Sequence, residues 1–146
     1  MNAISNQRRI VDRRSLIIDI EGYFDSNGYE PSKREKIVGR LKEALESGYS
    51  EVQERFSASR KGPDVLAGNA FLMDQLVRVI FDIATDRVFP VANRSTSEQI
   101  SVVAIGGYGR NELAPHSDID LMLLHPYKQT PYTEQIVEFI LYMLWD

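Results

Sequence analysis

The sequence predicts an α+β fold: a helical region built on an antiparallel helix pair, then two strands and a further helix. Three observations carry this reading. Apolar residues recur at helical spacing through residues 31–89. Two short apolar runs, Ile100 to Ile105 and Asp118 to Leu124, flank a glycine-rich turn. An apolar stripe at helical spacing resumes after Pro131.

Residues 1–30 read as an irregular lead, in which Leu16 to Ile20 is a short apolar patch and Gly22, Gly28 and then Pro31 break the pattern. Arg8, Arg9, Arg13 and Arg14 make it basic, but Asp19 and Glu21 cut short the apolar run that a signal peptide requires. Residues 31–89 form the helical region. Ser32 and Glu35 have capping-box spacing, and Ile37, Val38, Leu41, Leu45, Val52 and Phe56 make the stripe of a long helix, loosened near Gly48. Arg60-Lys61-Gly62-Pro63 ends it, and Asp64 caps a second helix. The second stripe is Leu66, Ala70, Met73, Leu76, Val77, Ile80, Phe81 and Ala84. A connection this short makes the pair antiparallel.

After a polar connection from Pro90 to Ser97, residues 98–146 hold strand Ile100 to Ile105, the turn, strand Asp118 to Leu124 and a proline-containing loop. A helix then begins near Thr133, with Ile136, Val137, Ile140, Leu141 and Leu144 as its apolar stripe. A two-stranded sheet is marginal alone, and this helix runs to Trp145 with no glycine cap. The expectation is therefore a truncated, incomplete second domain.

Composition narrows the classes. A chain of 146 residues with 43% hydrophobic and 26% charged residues can bury a core. Its net charge of -4 argues against general nucleic-acid binding, which depends on a basic surface. The absence of cysteine excludes disulfides and thiolate metal sites. No run approaches the roughly 20 apolar residues of a membrane span, so neither nucleic acid nor membrane is an expected partner, and the expected location is cytoplasmic.

The chemistry concentrates in Gly106-Gly107-Tyr108-Gly109-Arg110-Asn111-Glu112-Leu113, followed by Pro115 and Ser117-Asp118-Ile119-Asp120-Leu121. Residues two apart on a strand share a face and lie roughly 7 Å apart, so Asp118 and Asp120 point one way while Ile119, Leu121 and Leu123 point the other. Two carboxylates brought to roughly 5 Å repel by about 3 kcal/mol at an effective dielectric near 20, which a divalent cation relieves. Mg²⁺ accepts a few carboxylate oxygens together with water and substrate phosphates. Gly106 and Gly107 let the backbone approach an anion and offer it N–H groups, helped by a short helix over Asn111 to Ala114. Arg110 is placed to clamp a phosphate and Ser117 to donate another bond. Each element also has a plainer reading. The glycines alone make a tight connection, the carboxylates a solvated strand end, Arg110 an ion pair with Glu112 or Glu98, and Ser117 a turn closure. His116, with no second His or Cys beside it, reads as a loop residue. It is their joint order that points to metal-assisted chemistry on a nucleotide phosphate.

In that order the segment resembles the signature of the DNA polymerase β-like nucleotidyltransferase superfamily: an apolar strand, a Gly-Gly turn, a spacer, then Asp-x-Asp. The string G-G-Y-G-R-x-E-L-x-P-x-S-D-I-D-L is similar to the N-terminal catalytic domain of the bacterial PII uridylyltransferase family. The match covers residues 100–124, and the helical region fits in order and length. The adenylyltransferases acting on glutamine synthetase share Ser-Asp-x-Asp but usually carry a Gly-Lys-Leu-Gly type of turn. The resemblance implies the first strands and a helix of a polymerase β-like fold, and transfer of UMP from UTP to a tyrosine of the PII nitrogen-signalling protein. It implies Asp118 and Asp120 as the catalytic metal ligands for Mg²⁺ or Mn²⁺, and Gly106, Gly107, Arg110 and Ser117 as nucleotide-binding residues. The superfamily normally adds a third carboxylate from a later strand. Glu134 and Glu138 fall on a helix and Asp146 is the last residue, so this chain by itself is expected to turn over little or not at all. The His-Asp metal domain and ACT-type domains of full-length enzymes have no match here. The alternatives are a non-catalytic helical regulatory module with a degenerate nucleotide site, and a sister adenylyltransferase using ATP.

Overall fold

The structure, a computed structural model, describes residues 4–145. Asp146 and the first three residues of the lead lie outside the described residues. The elements in order are α1 (Gln7–Ile10), α2 (Arg13–Glu21), α3 (Arg34–Ser59), α4 (Gly62–Ile83), β1 (Ser101–Ala104), α5 (Gly106–Gly109), β2 (Leu121–Leu124) and α6 (Pro131–Trp145). The architecture is α+β, rich in helix, with one small antiparallel sheet among the described residues.

The lead is not irregular. Asp12 caps α2 by accepting from the amides of Arg14 and Ser15 at 3.1 and 3.2 Å. Ile10, Leu16 and Ile20 are at most 2% exposed, inside the main core. The two helices have only 4 and 9 residues, and the buried pair Leu16 and Ile20 is a single i,i+4 repeat, too little to stand out as a stripe. Polar ties reinforce the docking: Arg55 donates to the carbonyls of Ser5 and Asn6 at 2.6 and 2.9 Å, and Arg40 to Asp19 at 2.8 Å.

The expected capping box at Ser32 and Glu35 does not form. A 3₁₀ turn over Pro31–Lys33 feeds α3 instead, and the Ser32 hydroxyl donates to Glu30 at 3.2 Å. A box of that kind closes at Ser95, whose amide donates to Glu98 at 2.9 Å. Nor is α3 loosened at Gly48. The helix continues unbroken through it, and the missing side chain makes room for α4, since a Cβ at Gly48 would lie 2.4 Å from Leu72 Cδ1. Gly68 repeats the device, its Cβ position falling 3.0 Å from Val52 Cγ2. The pairings of 48 with 72 and 52 with 68 run in opposite directions, so α3 and α4 are antiparallel, as expected, and both glycines mark close approach.

Arg60, at φ 57, turns the chain out of α3. Lys61, not Asp64, occupies the cap position of α4, and Asp64 sits in the first turn, where its charge suits the helix dipole. Of the expected stripe, Ala70, Met73, Leu76, Val77, Ile80 and Ala84 are buried and Leu66 and Phe81 half-buried, but Leu72, Val79 and Ile83 are buried too. This helix is buried around most of its girth because α2, α3 and α6 all pack on it.

In the sheet, Ser101 pairs with Leu124 and Ala104 with Leu121. Both strands are shorter than expected, and Asp118 and Asp120 precede β2. One further bond, from the Ile105 amide to the Asp120 carbonyl at 3.0 Å, carries the pairing back to Asp120. The last helix starts at Pro131, two residues earlier than Thr133, with the Thr130 hydroxyl accepting from the Thr133 amide at 3.2 Å. Its buried face is Thr133, Ile136, Phe139, Ile140 and Met143. Val137, Leu141 and Leu144 flank that face half-buried, because the aromatic Phe139 and the flexible Met143 take the centre.

Candidate functional site

The site grows from the end of β1. After Ala104 the chain turns into α5, a single helical turn made of the glycine run itself. The short helix expected over Asn111 to Ala114 is absent: Asn111, at φ 62, is left-handed, and the amides of Arg110 and Glu112 both return to the Gly107 carbonyl at 3.2 and 2.9 Å. Helical geometry thus falls on Gly106–Gly109. The first amides of such a turn have no acceptor within it and are free for another partner.

Two of these glycines answer a constraint, Gly106 through its left-handed backbone and Gly109 through close approach of another backbone. At Gly106 φ is +60, and a Cβ would stand 2.6 Å from Asp120 Oδ2. At Gly109 a Cβ would stand 2.5 Å from the Ala104 carbonyl oxygen. The backbone of the turn and the Asp120 carboxylate are therefore in direct contact.

From Asp118 to Leu124 exposure alternates. Asp118, Asp120, Met122 and Leu124 are exposed, and Ile119, Leu121 and Leu123 are half-buried. The period of two thus extends beyond the hydrogen-bonded strand, which leaves both carboxylates on the open side. Asp118 and Ser117 also edge a groove of about 710 Å³ that runs between α3, α4 and α6.

Arg110 and Ser117 are engaged locally. The Arg110 Nε donates to Glu112 at 3.1 Å with both side chains exposed, and the Ser117 hydroxyl donates to the Asp118 carbonyl at 3.1 Å. These are the plainer roles that the sequence left open for them. An exposed pair of this kind contributes roughly 0–1 kcal/mol, so a phosphate can compete for the arginine. His116 lies exposed in the loop at φ 61.

The donor set admits a metal only in part. Among the described residues no group of three or more His, Asp or Glu side chains converges on a cation position. Asp118 and Asp120 are two carboxylates, the number Mg²⁺ commonly takes from protein while water and phosphates fill the rest. Glu134 and Glu138 lie exposed on α6.

Sequence reasoning missed the residues that hold the turn. The Tyr108 ring is 4% exposed, packed among Ala70, Met73, Val77 and Leu113, and its hydroxyl donates to Asp74 at 2.8 Å. Burial first, then the Asp74 carboxylate, pushes the Tyr108 phenol well above its ordinary value. Five residues earlier on α4, the Asn69 amide donates to the Leu113 carbonyl at 3.2 Å. The one signal in the sequence was Asn69, a polar residue set among the apolar positions of α4, while Asp74 is one of several charged residues on that helix.

A family model described as glutamate-ammonia ligase adenylyltransferase matches residues 64–138, just over half of the chain. The chain also matches the N-terminal region of proteins named bifunctional uridylyltransferase/uridylyl-removing enzyme. It is 49% identical to that of Erythrobacter litoralis over 144 residues, covering 98% of the chain and 16% of the relative. It is 45% identical to that of Azospirillum brasilense and 44% identical to that of Rhodospirillum rubrum, covering 98% of the chain and 15% of each relative. The chain thus spans about a sixth of the length of these curated relatives. No solved structure matches it.

Proposed function

The chain belongs to the nucleotidyltransferase family described as glutamate-ammonia ligase adenylyltransferase, and from that premise we propose that it carries the glycine turn and two metal-binding carboxylates of a uridylyl-transfer site. In this reading UMP passes from UTP to a tyrosine hydroxyl of the PII signalling protein. The hydroxyl oxygen bonds to the α-phosphorus as the bond to pyrophosphate breaks. The observation that carries the reading is the contact between the Gly106 backbone and the Asp120 carboxylate. It joins a phosphate-accepting turn to an acidic group that a phosphate would otherwise repel.

The roles follow from position. The turn amides from Gly106 and Gly107 hold triphosphate oxygens, and Arg110 exchanges Glu112 for a phosphate. Ser117 steadies the backbone at Asp118 and supplies a further donor. Asp118 and Asp120 would hold Mg²⁺ or Mn²⁺, which when bound neutralises phosphate charge and lowers the pKa of the attacking hydroxyl. Holding the α-phosphorus in line with the acceptor is the share of the barrier that the turn lowers. A third acidic group belongs, on this reading, to sequence outside these 146 residues.

The choice of a uridylyl donor rests on the names of relatives at 44 to 49% identity. An adenylyl donor is the second reading, favoured by the name of the family model. A non-catalytic module with a degenerate nucleotide site is the third, favoured by the two-carboxylate set. All three separate in a chimera in which this segment replaces its counterpart in the Azospirillum brasilense relative. We expect UMP transfer to PII with UTP, weak competition by ATP, and a drop of about 100-fold or more on Asp118→Asn or Asp120→Asn. Near-normal transfer by either variant removes the metal assignment, preferential use of ATP supports the adenylyl reading, and a chimera without any transfer supports the third.

A further inference from the structure

The loop from Gly106 to Leu113 is held to the long helix α4 at both of its ends. Near its start, the buried Tyr108 donates its hydroxyl to Asp74 at 2.8 Å. At its finish, the Leu113 carbonyl accepts from Asn69 at 3.2 Å, and both residues are at most 2% exposed. Asn69 and Asp74 are five residues apart, about 7.5 Å along the helix axis, which suits a loop folded back on itself. The loop is closed internally by the bonds from Arg110 and Glu112 to Gly107 and from Asn111 to Tyr108. It is therefore one unit with two anchors on a rigid element.

We propose that Asp74 and Asn69 are positioning residues, which through Tyr108 and Leu113 lock the glycine turn onto α4 and hold Gly106 against Asp120 before any nucleotide arrives. The proposal rests on the nucleotidyl-transfer reading and names what keeps that site in shape. Packing alone does not require these groups. An apolar residue would fill the space of Asn69 in a helix as buried as α4, and phenylalanine would fill that of Tyr108. A buried amide and a buried phenol are kept in a core when each has a partner, and here each of the two bonds joins α4 to the one loop. Supporting bonds of this kind set the geometry of the residues that touch a ligand, and a misplacement near 1 Å costs about 100-fold in rate.

The test is hydrogen–deuterium exchange on this chain, paired with kinetics of the chimera. In Tyr108→Phe and Asp74→Ala, the amides of residues 106–113 should exchange about 10-fold faster, while those of α3 and α6 keep their rates. Asn69→Ala should act at the Leu113 end of the same loop. Asp74→Asn keeps an acceptor oxygen and should restore near-normal exchange, whereas Asp74→Leu, which fills the same space without an acceptor, should exchange as fast as the alanine variant. In the chimera, Tyr108→Phe should raise the KM for UTP about 10-fold with a smaller change in kcat. Unchanged loop exchange in both Tyr108→Phe and Asp74→Ala overturns the proposal, as does faster exchange with an unchanged KM. A wild-type chimera that transfers no nucleotide sinks the proposed function instead, and the exchange data alone then decide whether α4 holds the loop.

Discussion

A single missing carbon at Gly106 permits the contact on which the site is built. Alanine there meets two obstacles, a left-handed backbone at φ +60 and a carboxylate oxygen 2.6 Å from its Cβ. Gly106→Ala should therefore lower transfer by the chimera about 10-fold or more through displacement of Asp120, read as UMP incorporated into PII. Equal rates would mean that the contact is incidental. Tyr108 makes a prediction of opposite character. Its folded-state ionisation lies above the ordinary value of 10.0, so the folded chain holds a proton that the unfolded chain releases above that pH. The corresponding stability is fully present below pH 10 and declines as pH rises beyond it. Denaturant melts between pH 9 and 11 should fall less steeply for Tyr108→Phe than for wild type, and parallel curves would contradict this. At this scale the sequence made the glycine turn and the shared exposed side of Asp118 and Asp120 legible, because glycines mark a turn and residues two apart on an extended chain share a face. It hid the part played by Tyr108, since a tyrosine between glycines looks like any loop aromatic until α4 supplies Asp74.

Among the elements, the two long helices could be read in advance, because 3.6-residue periodicity accumulates over 26 and 22 residues. The errors lie where the local signal is short or ambiguous. Gly48 resembles a helix breaker in isolation and becomes a close-packing point only when Leu72 is set beside it. The strands were drawn too long because alternation of exposure continues past the last ladder bond at Asp120. The lead looked irregular because α1 and α2 have 4 and 9 residues. The correction to the lead has a direct consequence: Leu16, 1% exposed, belongs to the main core. Leu16→Ala should destabilise the chain by about 2–5 kcal/mol in urea unfolding. A loss below about 0.5 kcal/mol, the range of ordinary surface substitutions, would show that the lead does not pack as described.

At the scale of the molecule, one helix organises everything else. The main core gathers α1, α2, α3 and α6 around α4, and a second, smaller core fastens the glycine loop and β2 to the same helix. No helix among the described residues is long and apolar enough to cross a membrane. The site sits on the outer end of this arrangement, with Asp118 and Asp120 exposed and the turn behind them anchored. On the proposed function, this layout prepares one wall of a nucleotide site. The most direct test of that claim is calorimetric titration of UTP into the chimera with and without Mn²⁺, for wild type and for the Asp118→Asn/Asp120→Asn double variant. The account predicts binding that requires Mn²⁺ and weakens about 10-fold or more, about 1.4 kcal/mol, in the double variant. Equal affinity without the metal, or in the double variant, would contradict it.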